Sequence, residues 1–305
     1  MARRLGGTVL TVLVVSTITF GALMATPGDA ASAMVGDSAS AAQLQILRAQ
    51  MGLDRPLPVR YVEFLVNLIS RGDLGLSTMS NRPVTELILE RLPYTGTLAL
   101  GAIGLAALVG ALLGTAAALK AGTLTDTALM GGAALGLAVP TFWSALLLMM
   151  VFALRLRWLP VVGAESWQYI ILPAVTLALP TGAVVARMIR ASLLDVYGAD
   201  FVRTAHAKGL APRRVLVHHI VRNSLIPVVT VLGLHLGHLL GGAFIVESIF
   251  GWPGLGRLTV QAIFDRDYPV VMGATLTVAV IYLVINFLID VAHGWLDPQV
   301  AHEAI

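Results

Sequence analysis

Six stretches of the chain stay apolar over lengths near or above about 18 residues: 5–25, 95–119, 128–154, 169–186, 225–246 and 270–289. About 20 helical residues cross the ~30 Å hydrocarbon core of a bilayer. Inside lipid, backbone polar groups must be satisfied within the segment, so each stretch is predicted to be a helix. The first three carry no charge, the third contains Pro140, and the fourth contains Pro173 and Pro180. The fifth contains two histidines and the sixth is closed by Asp290. The internal prolines predict either kinks and cavity-lining breaks or prolines tolerated by packing.

Two of the connections are long. Residues 27–93 begin with an Ala/Ser/Gly-rich part, 29–42, followed by Leu53-Asp54-Arg55-Pro56-Leu57-Pro58, a turn by its prolines. Over 59–69, Val62, Leu65, Val66 and Ile69 recur at helical spacing, which predicts an amphipathic helix, and 84–91 is a second candidate. A small folded cap is expected there, with a mobile connector as the alternative. The other long connection, 191–224, reads helix, turn, helix. Residues 195–207 are helix-compatible, Gly209 and Pro212 punctuate them, and 213–223 can resume a helix.

Composition then narrows the class. Hydrophobic residues are 57% of the 305 and charged residues 12%, with mean hydropathy +0.84. An ordinary soluble domain is roughly 25% charged. Too few charges remain to solvate a globule of this length, which excludes a cytosolic enzyme, a disordered chain and a nucleic-acid-binding domain. With no cysteine, disulfides, thiolate metal sites and Cys nucleophiles are excluded. The net charge of +3 matters less than its distribution. Met1-Ala2-Arg3-Arg4 and Ala31-Ser32-Ala33 bracket the first apolar run like a cleavable signal. That run is about 21 residues against the usual 7–15 of a signal core, so a retained helix is preferred.

Arg3 and Arg4 place the N-terminus inside by the positive-inside rule, and six spans return the C-terminus to the same side. Residues 187–222 carry seven basic residues against two acidic ones and fall on the predicted inside. Residues 27–93 carry six Arg against seven acids and fall outside.

Catalytic signatures are absent from the sequence. There is no Gly-x-x-x-x-Gly-Lys-Ser/Thr, and the two lysines, Lys120 and Lys208, follow no glycine. This chain therefore cannot hold ATP in a P-loop. Gly-x-Ser-x-Gly, His-Glu-x-x-His and a post-strand Gly-x-Gly-x-x-Gly are absent as well. His235-x-x-His238 puts two imidazoles on one helix face without a carboxylate or thiol at matching spacing, so no metal site is assigned. Glu247, Asn286 and Asp290 lie near span ends, where ionisable groups are solvated or paired more often than they line a pathway. The basic hairpin 191–224 fits either a docking surface for a soluble partner or a plain inside loop held at anionic lipid.

The residues of that hairpin are recognisable. Asp200-Phe201-Val202-Arg203-Thr204-Ala205-His206-Ala207-Lys208-Gly209-Leu210 resembles the cytoplasmic EAA coupling loop of type I ABC importer permeases, in particular the dipeptide/oligopeptide branch. Several other motifs match the same branch: His219-Ile220-Val221-Arg222-Asn223-Ser224-Leu225-Ile226-Pro227, Gly241-Gly242-Ala243-Phe244-Ile245-Val246-Glu247-Ser248-Ile249-Phe250, Pro253-Gly254-Leu255-Gly256, Arg266-Asp267-Tyr268-Pro269 and Leu296-Asp297-Pro298. Gly52-Leu53-Asp54-Arg55-Pro56 and Gly72-Asp73-Leu74-Gly75 match the first of the two permease subunits. The Glu of the general EAA motif falls on Arg203 and its distal Pro on Arg222, as is usual in the peptide branch.

The resemblance implies an all-α, polytopic membrane protein with six transmembrane helices and MetI-like architecture. Residues 1–26 would be helix 1, 27–94 an extracytoplasmic loop domain, and 95–305 a five-helix core with the coupling loop at 191–224. It implies a permease subunit of an ATP-driven peptide importer in the bacterial inner (plasma) membrane, with both termini cytoplasmic. The implied partners are a second homologous permease, ABC ATPase subunits, an extracytoplasmic peptide-binding protein, peptide substrate and membrane lipid, with no nucleic acid. No cofactor is implied in this chain; Mg-ATP would be held by partner subunits.

Arg203, Thr204, Ala205, His206, Ala207, Lys208, Gly209, Leu210, Arg213 and Arg214 would make the ATPase-coupling surface. Glu247, Phe250, Pro253, Gly254 and Gly256 would belong to an outer re-entrant segment near the gate. Residues 29–91 would help dock the binding protein. A stand-alone secondary transporter or channel, an importer of nickel or haem, and an intramembrane hydrolase are the alternatives. The first predicts inverted repeats or mid-span charges, and the hydrolase needs a nucleophile paired with a base at depth; neither is evident in the sequence.

Overall fold

The computed structural model of the chain describes residues 2–26, 31–32, 40–50, 52–197, 202, 204, 207–208 and 222–296. Among them the structure is helical, apart from turns, loops and one isolated bridge between Leu76 and Pro83. The helices are α1 (Ala2–Ala25), α2 (Ala41–Gln50), α3 (Leu57–Arg71), α4 (Val84–Leu119), α5 (Leu124–Ala138) and α6 (Thr141–Leu148), which continues as a π-helical stretch, Met149–Arg155. They are followed by α7 (Ile171–Tyr197), α8 (Arg222–Gly242), α9 (Phe244–Ile249), α10 (Leu255–Phe264) and α11 (Tyr268–Leu296).

The six expected spans resolve into three kinds of element. Four continuous described helices are long and apolar enough to cross a membrane: Gly6–Ala25, Val84–Leu119, Trp167–Tyr197 and Tyr268–Ile289. The span expected over 128–154 is instead a pair of helices, α5 and α6, bent by 103°. The cause is local: Val139 precedes a proline and is held extended (φ −79°, ψ 123°), so the helix ends there and Pro140 opens the next one. The fifth stretch ends at Gly242, with Val228–Leu240 as its apolar part, and a turn at Ala243 separates it from α9.

Prolines 93 and 180 sit inside continuous helices, so proline alone did not decide where helices break. Residues 84–91, read as a separate helix of the outer loop, are the first turns of α4. Residues 187–194, left outside the fourth expected span, and 195–197, read as the start of a separate helix, are the last three turns of α7. The amphipathic helix expected over 59–69 is present as α3. Gly72 in the left-handed region (φ 64°) closes it, its N–H donating to the Leu68 carbonyl at 3.0 Å.

Contacts divide the chain into two compact units: residues 1–95 with 253–283, and residues 96–252 with 284–305. The core of the first unit is Val84, Ile88, Leu255, Ala262, Val270, Val271 and Ala274, with Leu23 and Leu74 packed against it. Gly273 is required by this packing, because a Cβ there would lie 2.6 Å from Val84 Cγ1. Thr95 is buried and its Oγ1 accepts the Leu255 N–H at 2.8 Å, satisfying a donor at the start of α10.

The second unit is organised around α7, which buries thirteen residues along its length. Where α4 crosses it, contact runs through small residues. Gly182 approaches Ala106, and Gly110 and Gly114 lie against Val185, Ala186 and Ile189. Helices in lipid gain little from hydrophobic burial against one another, so close backbone approach at small residues is what brings them together. A larger cluster, including Leu98, Ala102, Leu172, Leu177, Leu239, Val246, Phe250 and Trp252, fills the rest.

Candidate functional site

The re-entrant segment expected over 247–256 is a short helix, a turn and a helix start. In the second unit, Glu247 lies on α9 with no solvent exposure, so of the two alternatives expected from sequence, solvated or paired, burial removes the solvated one. Its backbone is locked: its N–H donates to the Ala243 carbonyl and its carbonyl accepts the Trp252 N–H, both at 2.8 Å. Gly251 in the left-handed region (φ 60°) makes the reversal between them. Phe250 is buried in the same core, and its carbonyl accepts the Gly163 N–H at 3.2 Å. A carboxyl fully withdrawn from solvent in a membrane chain is costly unless partnered, and such positions mark function. In the first unit, Gly254 caps α10 in an extended conformation, Gly256 is buried in its first turn, and Pro253 is half-buried.

Of the residues expected to make a coupling surface, the structure describes Thr204, Ala207 and Lys208. All three are exposed, and the Lys208 N–H donates to the Thr204 carbonyl at 3.0 Å, one helical turn closing on a turn residue. Arg203, Ala205, His206, Gly209, Leu210, Arg213 and Arg214 lie outside the described residues.

Two polar constellations escaped the sequence reading. Arg190 on α7 grips Asp126 on α5 through two parallel bonds, Nε–Oδ1 at 2.6 Å and Nη2–Oδ2 at 2.7 Å. Asp126 is buried and also accepts the Gly122 N–H at 3.0 Å. This bidentate fork ties the start of α5 to the part of α7 that leads into 191–224. The one available signal was Thr123-x-x-Asp126 before an apolar run, a helix-start pattern, and Thr123 does cap α5. Arg190→Ala is expected to lower the folded yield several-fold, because Asp126 is left buried without its cation. Exchanging the pair (Asp126→Arg with Arg190→Asp) is expected to recover part of it. Detergent-extracted yield and thermal stability read both outcomes.

The second constellation is in the first unit. Asp267 is buried and accepts from the Ser77 hydroxyl at 2.5 Å, the Thr78 N–H at 3.1 Å and the Met79 N–H at 3.4 Å. Arg266, in the left-handed region (φ 56°), closes α10 and aims the aspartate. Asp267 thus pins the loop between α3 and α4. Arg82, farther along that loop, pairs with Glu90 and Glu86. The hydrogen bond to Glu90 holds the guanidinium above its ordinary pKa, although so exposed a pair adds little stability.

His235 faces Thr181, with Nδ1 to Oγ1 at 3.4 Å, and His238 is exposed. Among the described residues no group of three or more His, Asp or Glu is placed to hold a metal. A recess of about 420 Å³ between α4, α5 and α7 is lined by aliphatic residues such as Leu105, Val109, Leu129, Gly132, Val175 and Leu179. A peptide backbone placed there would find few hydrogen-bond partners, so the recess is not assigned to substrate.

Residues 110–302 match the family described as binding-protein-dependent transport system inner membrane component, and residues 1–99 match its N-terminal membrane component. The glutathione transport system permease protein GsiC of Pectobacterium atrosepticum is 40% identical over 301 residues, covering 99% of this chain and 98% of that one. The protein of the same name from Escherichia coli strain K12 is matched at the same identity and coverage. Among solved structures, the inward-facing MetNI methionine ABC transporter has a chain similar at TM-score 0.57 and 16% identity, covering 70% of this chain and 97% of that one. An amino acid ABC transporter crystallised with histidines gives 0.54 and 17%, covering 68% and 94%. At these identities the two structures support the fold alone.

Proposed function

We infer, because this chain belongs to the family of binding-protein-dependent transport system inner membrane components, that it is the first permease of an ATP-driven importer of short peptides. As a member of that family it is a multi-pass membrane transporter subunit and not an enzyme; ATP hydrolysis belongs to separate subunits. The observation that carries the peptide reading is the identity to glutathione permeases along essentially the whole of both chains. Glutathione is itself a tripeptide, and its chemistry lies within the class proposed here.

In this reading the chain pairs with a second, similar permease to line one pathway. Two ATPase subunits carrying Mg-ATP dock beneath it, and a binding protein delivers peptide from outside. Both termini are cytoplasmic. The small residues Ala205, Ala207 and Gly209 let the tip of 191–224 seat closely in a groove on the ATPase, with Arg203, Arg213 and Arg214 flanking it. Closure of the ATPase pair moves that tip, and the bundle switches between inward- and outward-facing states by rigid-body motion. The Arg190–Asp126 fork supports this scheme, since it braces α7, the helix that precedes that tip in the chain. The buried Glu247 and the turn at Gly251 would form part of the outer gate.

The test is purification of the tagged chain from its native membrane in mild detergent. A P-loop ATPase and a second permease are expected in stoichiometric amounts, and Gly209→Arg is expected to release the ATPase while the permease pair persists. A chain that comes alone, with the variant behaving identically, would overturn the reading.

A further inference from the structure

Helix α3 was expected to bury its apolar stripe within an outer cap. It does not: none of its residues is buried, and Val62, Val66 and Ile69 are 56%, 56% and 79% exposed. At about 100° per residue, the helix divides into three faces. Tyr61, Phe64, Leu65 and Leu68 share one face, and all four are half-buried. Val59, Val62, Val66 and Ile69 form a second, exposed face. Glu63, Asn67 and Ser70 form a third, polar and exposed face, and Arg60, half-buried, lies between it and the packed face. A helix with one packed face, one bare apolar face and one polar face fits a boundary between apolar and aqueous surroundings.

The contacts of the packed face fix its depth. Tyr61 Oη lies 2.8 Å from Ser16 Oγ and 2.7 Å from Thr17 Oγ1 of α1, and its ring sits 5.1 Å from that of Phe20. Ser16 is nine residues before the end of α1 at Ala25, which is about 13 Å at 1.5 Å per residue. The tyrosine hydroxyl therefore meets α1 well inside its apolar stretch, Gly6–Ala25. That stretch leaves Val9, Leu10, Val14 and Ile18 exposed, as a lipid-facing span does. Arg60 reaches Met24, nearer the end of α1. Water at this depth would wet both the α3 stripe and the exposed apolar residues of α1.

We propose that α3 is a membrane-embedded helix whose Val59, Val62, Val66 and Ile69 face is covered by the lipid of one leaflet, with the Glu63, Asn67 and Ser70 side turned to water. The proposal rests on α1 crossing the bilayer.

Because the chain has no cysteine, single cysteines can be introduced one at a time and spin-labelled in the full-length protein. The labelled sites are Val62, Val66 and Ile69 on the stripe, Asn67 and Ser70 on the polar side, and Ile18 on α1. After reconstitution into phosphatidylcholine/phosphatidylglycerol vesicles, relaxation by oxygen and by a water-soluble nickel chelate is compared. The stripe is expected to give an oxygen-to-nickel accessibility ratio several-fold above that of the polar sites and close to that of Ile18. A stripe open to nickel would mean an aqueous face, and a stripe shielded from both reagents would mean a protein partner; either overturns the proposal. If Ile18 itself is open to nickel, the crossing by α1 fails too, and that result is distinct from both.

Discussion

Gly114→Val is expected to cost about 3 kcal/mol of stability, roughly a hundredfold in the folded population. A Cβ at Gly114 would lie 2.4 Å from the Ala186 carbonyl oxygen and 2.9 Å from Ile189 Cβ. Neither can move aside, because the carbonyl belongs to the α7 backbone and Ile189 is buried beneath it. The helices must separate instead, which loses dispersion contacts along the whole crossing. Gly110 is nearly as tight, with Val185 Cβ at 2.7 Å and the Gly182 carbonyl at 2.8 Å.

Alanine at either position recovers up to about 1 kcal/mol of helix propensity, so the single alanine variants should be milder than valine. The double alanine variant should cost less than the sum, since one separation relieves both clashes. Gly104 on the same helix meets nothing within 4 Å, so Gly104→Ala is expected to be neutral or stabilising. Thermal unfolding of the purified permease in detergent checks the series. Equal losses at Gly104 and Gly114 would show that glycine serves flexibility there rather than close approach.

Asp267→Ala is expected to destabilise by a similar amount, about 3 kcal/mol, because it strips the acceptor from three donors at a buried site. Ser77 is itself buried, so the loss leaves its hydroxyl and two backbone N–H groups without their partner. Asp267→Asn keeps one acceptor and is expected to cost less than half as much. The local readout is protease susceptibility of residues 72–83, which should rise in the alanine variant before global unfolding begins. An unchanged digestion pattern would mean that the loop is held by its apolar contacts instead.

The parts of this architecture that follow from local physics were legible in the sequence. Apolar runs marked α1, α4, α7 and α11, and the 59–69 periodicity marked α3. What depends on partners distant in sequence was not legible. The bend after Ala138 looked no different from the proline at 180, because only packing decides whether a proline is absorbed or ends a helix. The Arg190–Asp126 fork joins residues 64 apart and the Asp267–Ser77 contact residues 190 apart, and no local pattern encodes such a pairing. Periodicity also showed that α3 has an apolar face without showing what that face meets. For residues 191–224, expected to couple to an ATPase, the resemblance carried more than the physics, since a small-tipped basic hairpin suits a docking site and an anionic surface equally well.

In the function proposed above, this chain imports short peptides only as part of an ATP-driven complex. The most direct measurement is uptake of labelled glutathione and di- and tripeptides into proteoliposomes holding the complete purified complex, with binding protein outside and ATP within. Uptake is expected to require both ATP and the binding protein, to be competed by unlabelled short peptides, and to be abolished by Gly209→Arg. Uptake that proceeds without ATP, or that follows an ion gradient alone, would contradict it.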